Sequence, residues 1–284
     1  MIVFLNGAFI PEEAATVSVF DRGFVYGDGL FETIRLYRGR PFRWDDHGAR
    51  LQRGAEFLGI RLPFSPHQLR SSVEELVHRN KLTEASLRIV LSRGVGPRGY
   101  STQGADCPTL VMSLHSAPTT RPSPLHWRLI TASPRIVPND PLSRHKTCNK
   151  LPNILARAEA DARDADEALL LNTRGEVAEA TGANLFWIDG QTVFTPLLDS
   201  GALPGITRAV VIGICGGLSI PCLERPLQPE LLRNAEGVFL TSSGVEVVEA
   251  LSLDGYPLRR SELTARVHQA YRSLVSELDP KFIV

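Results

Sequence analysis

The sequence predicts a mixed fold, α/β or α+β, that is divided into two domains. Short runs rich in Val, Ile and Leu alternate with amphipathic stretches on both sides of a proline-rich segment. A length of 284 residues also fits two domains of about 100–200 residues each. Three prolines between Ser116 and Pro124 disfavour a helix there and favour an extended linker. We therefore expect a small domain over 1–117, a linker over 118–125 and a larger domain over 126–284.

The first domain opens with a hairpin signal. Asn6-Gly7 separates two short apolar runs, and this dipeptide is a strong marker of a two-residue hairpin turn. Ser65-Pro66 resembles a helix start, with Ser as the N-cap and Pro at the first helical position. The apolar spacing and the short Val- and Leu-rich runs predict helices over 44–59 and from 66 onward, and strands over 87–92 and 109–114.

The second domain has the same alternation of elements. Ser261 is a candidate N-cap for a final amphipathic helix. The remaining patterns predict helices over 151–165 and 207–215, and strands over 168–172, 184–188 and 238–241.

Composition narrows the class of function. The chain is 43% hydrophobic with 31 basic and 31 acidic residues, so it is a folded protein with no bulk attraction for nucleic acid or an anionic membrane. No run of 18 apolar residues predicts a membrane span, and the N-terminus lacks the pattern of a signal peptide. The four cysteines lack zinc-ligand spacing, so we expect no metal, reduced thiols and a cytoplasmic protein.

Six stretches carry a more specific signal. They are rich in Gly, small polar residues and a few charges, and they resemble, in order, the sequence blocks of the class IV aminotransferases. The stretches are 21–33, 47–51, 144–153, 175–187, 203–208 and 240–247. Because the blocks keep the family order over most of the chain, the resemblance is much more specific than any single motif.

This resemblance implies a fold, a cofactor and partners. The family fold, fold-type IV, has a small N-terminal α/β domain and a larger C-terminal domain with a barrel-like sheet. The implied cofactor is pyridoxal 5'-phosphate (PLP), the implied substrates are amino acids and 2-keto acids, and the implied assembly is a homodimer. PLP chemistry needs a lysine, an acid beside the ring nitrogen and donors for the phosphate.

Lys146 is the residue that the resemblance assigns to the Schiff base with PLP. The chain has four lysines, and Lys81 and Lys281 lie where solvated surface charges are common. Lys146 precedes a small polar residue and has Asn153 seven positions later, as the family pattern requires. Lys150 stays open as a rival. If the segment were helical, Lys150 would neighbour Lys146 and lower its pKa.

The other blocks supply candidate cofactor ligands. The resemblance aligns Arg50 with an arginine that reaches the phosphate and Glu179 with the acid of the ring nitrogen. Glu176 is the rival acid, but it lies in a turn and is expected to be solvated. Two turns that resemble phosphate sites provide backbone N–H groups or hydroxyls, namely from Ile206, Thr207, Ser242 and Ser243.

The substrate side is less determined. The segment 93–101 resembles family segments that bind a substrate carboxylate, and this resemblance gives Tyr26, Arg98 and Tyr100 as the candidate substrate-binding residues, with Arg98 for the carboxylate. The main prediction is an aminotransferase of the D-amino-acid or branched-chain type. Aminodeoxychorismate lyase, which forms p-aminobenzoate and pyruvate, is the alternative, and a non-catalytic PLP-binding protein is a remote one. Leu151 replaces the Tyr of many branched-chain enzymes. Donor, acceptor and stereochemistry stay undetermined.

Overall fold

A computed structural model describes residues 1–117 and 124–278. These residues form two compact units. The first contains 1–117 together with the short segment His145–Asn149, and the second contains 124–144 and Lys150–Glu277. Most of the predicted linker, residues 118–123, lies outside the described residues, as does Lys281.

The first unit is built on a six-stranded sheet in which each neighbouring pair is antiparallel, with the order β2-β1-β6-β5-β3-β4. Its strands are β1 (Ile2–Leu5), β2 (Ala8–Pro11), β3 (Gly29–Tyr37), β4 (Arg40–Pro41), β5 (Ala85–Ser92) and β6 (Thr109–Ser116). The β1–β2 turn has positive φ at Asn6 and Gly7, as the hairpin signal predicts.

Three helices belong to this unit: α1 (Arg22–Tyr26), α2 (Trp44–Leu58) and α3 (Pro66–Asn80). Ser65 caps α3 through a capping box with Gln68. The helices α2 and α3 cover one face of the sheet, where Leu30, Ile34 and Leu36 of β3 join their apolar side chains in one core. Because alternate residues of a strand share a face, Glu32 also faces α2, whereas Phe31 faces away from it.

The second unit holds a nine-stranded mixed sheet in the order β12-β11-β10-β13-β14-β7-β8-β9, with β15 beside β14. The sheet curls into a half barrel. Its strands are β7 (Leu125–Ile136), β8 (Glu167–Asn172), β9 (Val177–Ala180), β10 (Asn184–Asp189), β11 (Thr192–Pro196), β12 (Cys222–Arg225), β13 (Gly237–Ser242), β14 (Glu246–Leu253) and β15 (Tyr256–Pro257). The parallel pairs are β11–β12, β14–β7 and β7–β8.

Three helices complete the second unit: α4 (Leu151–Ala162), α5 (Ile206–Gly217) and α6 (Glu262–Ser276). Ser261 caps α6 by accepting a hydrogen bond from the Leu263 N–H. α4 packs on the parallel strands β7 and β8 through small residues, with Ala156 and Ala160 fully buried. Among the described residues, no helix combines the length and the apolar character that a bilayer span needs.

The mixed α/β fold is confirmed, and so is each predicted helix and strand, with small shifts of the ends. The strand β3 was not predicted. Its sequence places Glu32, Thr33 and Arg35 among apolar residues, so no uninterrupted apolar run marks it.

Candidate functional site

The Lys146 segment is attached to β3 in the first unit. Thr147 forms an antiparallel bridge with Leu30. The Phe31 N–H donates to the Lys146 carbonyl, and the Cys148 N–H donates to the Gly29 carbonyl, both at 2.9 Å. The first and third sequence blocks therefore lie side by side, and the backbone that carries the lysine is fixed by strand-type hydrogen bonds.

The Lys146 side chain lies against an aromatic ring. Its Nζ is 4.4 Å from the centroid of the Phe31 ring, and the Arg88 guanidinium carbon is 3.6 Å from the same centroid. The preceding His145 stacks on Phe57 of α2 at 4.2 Å between ring centroids. Burial and the charge of Arg53 lower the pKa of His145, which favours a neutral imidazole beside the lysine.

Lys150 has a different structural role. The segment 145–150 is not helical. Lys146 and Lys150 are therefore not neighbours on one helix, as the lowering of the Lys146 pKa by Lys150 would require. Lys150 is the N-cap residue of α4 and belongs to the second unit, whereas Lys146 belongs to the first. Asn153, the family marker after the lysine, lies in the first turn of α4 and donates to the Thr181 carbonyl at 2.9 Å.

Arg50 lies in a buried ionic cluster on α2. Its Nε and Nη2 each donate to the carboxylate of Glu32 at 2.7 Å, and His47 Nδ1 is 2.7 Å from the same carboxylate. The three side chains are at most 5% exposed. Burial raises the pKa of Glu32, but the hydrogen bonds and charges of Arg50 and His47 dominate and lower it to about 2. Glu32 therefore fixes the direction of the Arg50 guanidinium.

The three candidate substrate residues come together around one loop of the first unit. Tyr26 Oη accepts a hydrogen bond from the Gly99 N–H at 3.0 Å. The rings of Tyr26 and Tyr100 lie 5.6 Å apart. Arg98 and Tyr100 are both exposed, so this loop presents a cation and a phenol on the surface of the unit.

Glu179 and Glu176 are separated by their contacts in the second unit. Glu179 Oε2 accepts the N–H of Leu203 at 2.9 Å, which ties the carboxylate to the turn before α5. Glu176 is not solvated as expected. It is half-buried and accepts hydrogen bonds from Asn172 at 2.8 Å and from Arg174 at 3.0 Å. The side-chain contacts of Glu176 are thus with residues of its own turn.

The two predicted phosphate turns meet at Asn184. Its Nδ2 donates to the Thr241 carbonyl at 2.8 Å and to the Thr241 hydroxyl at 3.0 Å, at the end of β13. Its Oδ1 lies so close to Gly205 that a Cβ there would be 2.0 Å away. Gly205 is the N-cap of α5, so one amide joins the start of this helix to the turn after β13.

Both turns present hydrogen-bond donors. Among the described residues, no side chain caps the start of α5, where Ile206 and the buried Thr207 form the first turn. The uncapped N–H groups of a helix start favour an anion. The Ser242 hydroxyl accepts from the Gly244 N–H at 3.3 Å and shapes the turn after β13, in which Ser243 follows.

Sequence reasoning missed three residues that organise these groups: Glu32, His47 and Asn184. Each lies inside or beside a block that resembles the family, yet its partners are distant in sequence or belong to another block. Asn184 and Thr241, for example, are 57 positions apart. Within the described part of the chain, no group of three or more His, Cys, Asp or Glu is arranged to hold a metal ion.

Relatives of known type cover the chain almost end to end. It is 34% identical over 279 residues to a putative branched-chain-amino-acid aminotransferase of Methanocaldococcus jannaschii, with 96% of each chain covered. It is 29% identical to an aminodeoxychorismate lyase of Bacillus subtilis, with 98% and 96% covered. It is 31% identical to a D-alanine aminotransferase of Listeria monocytogenes, with 95% of each covered.

A solved structure supports the fold in the same way. The T.th. branched-chain amino acid aminotransferase complexed with N-(5'-phosphopyridoxyl)-L-glutamate superposes with a TM-score of 0.91 at 30% identity, covering 99% of this chain and 96% of that one. The predicted fold class, fold-type IV with a barrel-like sheet, is thereby confirmed. The family model "Amino-transferase class IV" matches residues 29–253, and enzymes of this class use PLP. The predicted cofactor, PLP, and the predicted enzyme class are therefore confirmed through the family, and the chain belongs to the class IV aminotransferases.

Proposed function

We propose that this enzyme transfers an amino group between an amino acid and a 2-keto acid, with Lys146 as the residue that binds PLP covalently. The attachment of the Lys146 segment to β3 carries this proposal. Backbone hydrogen bonds hold the residue, and its Nζ lies over the Phe31 ring. Lys150, in contrast, starts a helix of the second unit.

The residues present fit the cofactor. The start of α5 offers uncapped N–H groups at Ile206 and the hydroxyl of Thr207 to a phosphate. Ser242 and Ser243 offer the turn after β13, and Arg50 offers a guanidinium that Glu32 orients. Glu179, held by the Leu203 N–H, is the carboxylate for the ring nitrogen. When bound, PLP supplies an aldehyde that condenses with amines and a ring that withdraws electrons from the substrate α-carbon.

Lys146 then has a second task. Its Nζ accepts the proton of the substrate α-carbon and returns it to a carbon atom, which is general acid–base catalysis by a positioned amine. The bridge between Thr147 and Leu30 and the hydrogen bond from the Phe31 N–H to the Lys146 carbonyl fix the backbone from which the Nζ extends, and orientation of a catalytic group lowers the barrier of a proton transfer.

The substrate carboxylate is assigned to the loop after β5. Arg98 is the proposed cationic partner, and Tyr26 and Tyr100 form the aromatic part of the same surface. The guanidinium suits a carboxylate because it donates two parallel hydrogen bonds. Both branched-chain and D-type substrates carry this carboxylate, so the assignment does not depend on the side-chain preference.

A donor screen tests the reaction. The PLP-loaded enzyme is incubated with L-leucine or D-alanine in the presence of 2-oxoglutarate, or with L-glutamate in the presence of pyruvate, and the new amino and keto acids are quantified by mass spectrometry. An aminotransferase forms both products in equal amounts. Failure with every donor, together with release of p-aminobenzoate from aminodeoxychorismate, contradicts the proposal.

The lyase is the second candidate. Two observations favour it: the aminodeoxychorismate lyase of Bacillus subtilis is 29% identical over 98% of this chain, and Leu151 stands where many branched-chain enzymes have Tyr. Leu151 is 70% exposed at the start of α4. It bears on the choice between the two reactions because leucine lacks the phenol that a tyrosine would provide there. The same screen distinguishes the two reactions, because the lyase releases pyruvate without a keto-acid acceptor.

A cytoplasmic homodimer completes the proposal. The first unit exposes several large apolar side chains, among them Val19, Phe20 and Phe24 on and before α1. Exposed apolar patches of this kind are typical of protein–protein contacts. We assign this patch to a second copy of the chain.

A further inference from the structure

One buried arginine holds the loop that carries Arg98. Arg22 is the first residue of α1 and is 4% exposed. Its Nη1 donates to the carbonyls of Gly99 at 2.9 Å and Ser101 at 3.1 Å, and its Nη2 lies 3.4 Å from the Tyr100 carbonyl. Three consecutive carbonyls directly after Arg98 therefore converge on one guanidinium.

The same loop is also fixed at its beginning. The Arg22 backbone N–H donates to the Gly94 carbonyl at 2.9 Å, and Asp21 bridges to Val95. Gly96 lies against the arginine, since a Cβ at this position would be 3.0 Å from Arg22 Cδ. The loop thus meets Arg22 on both sides of Arg98.

Arg22 is itself held by an ionic chain. Its Nε donates to Asp28 at 2.9 Å, and the same carboxylate accepts from Arg93 at 2.8 Å. Arg93 continues to the carbonyls of Leu58 at 2.7 Å and Gly59 at 3.1 Å, at the end of α2. Although burial raises the pKa of Asp28, the two arginines lower it overall, so the carboxylate stays charged and the guanidinium stays oriented.

We propose that Arg22 is a positioning residue for substrate recognition, which fixes the loop 94–101 so that Arg98 is directed at the carboxylate of the substrate. This inference rests on the proposed function, in which Arg98 binds that carboxylate. Arg22 contacts the loop backbone, Asp28 and, at 5.0 Å from the guanidinium carbon to the ring centroid, Tyr26. It therefore acts on carboxylated ligands through the position of Arg98. An exposed arginine on an unrestrained loop would lose more conformational freedom on binding.

Arg22→Lys is the sharpest variant. Lysine keeps the positive charge but has a single ammonium, which cannot reach Asp28 and three separate carbonyls as the planar guanidinium does. Arg35→Lys is the matched control. Arg35 lies on β3 of the same unit, is as buried as Arg22 and pairs with Glu84 at 2.8 Å, so Arg35→Lys reports general loss of stability. Arg98→Met removes the proposed carboxylate ligand itself.

The first measurement follows the loop in the PLP-loaded enzyme. Amide hydrogen exchange of peptides covering 98–103 is expected to be at least about tenfold faster in Arg22→Lys, because the carbonyl anchors are lost. The same peptides are expected to keep the wild-type rate in Arg35→Lys. Unchanged exchange in Arg22→Lys overturns the positioning role.

The second measurement follows the ligand by calorimetry. The probes are 4-methylpentanoate and its uncharged amide. We expect Arg22→Lys and Arg98→Met each to raise the Kd of the carboxylate about tenfold and that of the amide less than about twofold, with no further loss in the double variant. Equal loss for both probes in Arg22→Lys overturns the inference alone. An unchanged carboxylate Kd in Arg98→Met instead removes Arg98 from the proposed function, and the inference with it.

Discussion

At the scale of single residues, the structure distinguishes charges that are used inside the protein from those that are presented outside it. Glu32, His47 and Arg50 form a buried cluster, whereas Arg98 is exposed. The sequence block 47–51 indicated Arg50 as a phosphate ligand. The block does not contain the carboxylate that orients the Arg50 guanidinium, so that carboxylate could not be predicted from it. Glu32 belongs to the neighbouring strand β3, and its contact with Arg50 forms only when the chain folds.

The low pKa of Glu32 predicts a specific dependence of stability on pH. Its folded-state pKa of about 2 lies below its ordinary value of 4.5, so this carboxylate stabilises the fold above pH 4.5 and loses that effect as the pH falls towards 2. The loss is on the order of 3 kcal/mol. Urea unfolding measured from pH 7 to pH 3 is expected to show a steeper decline in wild type than in Glu32→Gln.

The control for this prediction is Glu75→Gln. Glu75 pairs with Arg79 on the exposed face of α3, where both side chains are more than 40% exposed, and surface pairs contribute little. Glu75→Gln should retain the wild-type slope. Parallel slopes for wild type and Glu32→Gln would show that the buried cluster does not stabilise the ionised form.

At the scale of elements, the predicted helices and strands were those marked by a repeating apolar face or by a short apolar run. The apolar face of α3 and the short runs of β5 and β13 are local signals. β3 was missed because its buried face includes Glu32, whose charge is balanced by partners on α2. The meeting of two turns at Asn184 depends on contacts between distant parts of the chain, which no local period encodes.

The start of α5 gives a test at this scale. Gly205 has an ordinary φ of −71°, so Gly205→Ala causes no backbone strain, and the nearest atoms to the new Cβ belong to the Asn184 amide, with Oδ1 at 2.0 Å. The substitution therefore displaces the Asn184 amide, which joins the two turns. We expect the Kd of PLP, measured by fluorescence titration of the apoenzyme, to rise at least about tenfold, as for the loss of several phosphate hydrogen bonds.

Gly213→Ala is the matched control in the same helix. No atom lies within 4 Å of a Cβ at Gly213. Because Ala is the better helix former, this variant should be more stable by roughly 0.5–1 kcal/mol and bind PLP as wild type does. If Gly205→Ala binds PLP as tightly as Gly213→Ala, the phosphate is not held at the start of α5.

At the scale of the whole molecule, composition and block order predicted the fold class and the family, because these depend on many residues at once. The choice between transamination and elimination does not follow from them, since both reactions share the lysine, the acid and the phosphate donors. That choice depends on the substrate pocket, where small differences in shape decide.

The assembly gives a further prediction at this scale. Phe24 on α1 is 76% exposed, and the proposed contact with a second copy would bury it. Sedimentation velocity is expected to show a dimer for wild type and a shift towards monomer for Phe24→Asp. Leu223→Asp, at an exposed apolar residue of β12 in the second unit, should remain dimeric. A monomeric wild type, or an unaffected Phe24→Asp, contradicts the assignment of this patch.

The identity of the PLP-binding lysine is the central claim, and chemical mapping tests it most directly. The PLP-loaded enzyme is reduced with borohydride, digested and analysed by peptide mass spectrometry, in wild type and in Lys146→Ala and Lys150→Ala. We predict that the pyridoxyl group is found on Lys146 in wild type and in Lys150→Ala, and on no lysine in Lys146→Ala. A pyridoxyl group on Lys150 in the wild-type enzyme would contradict the account.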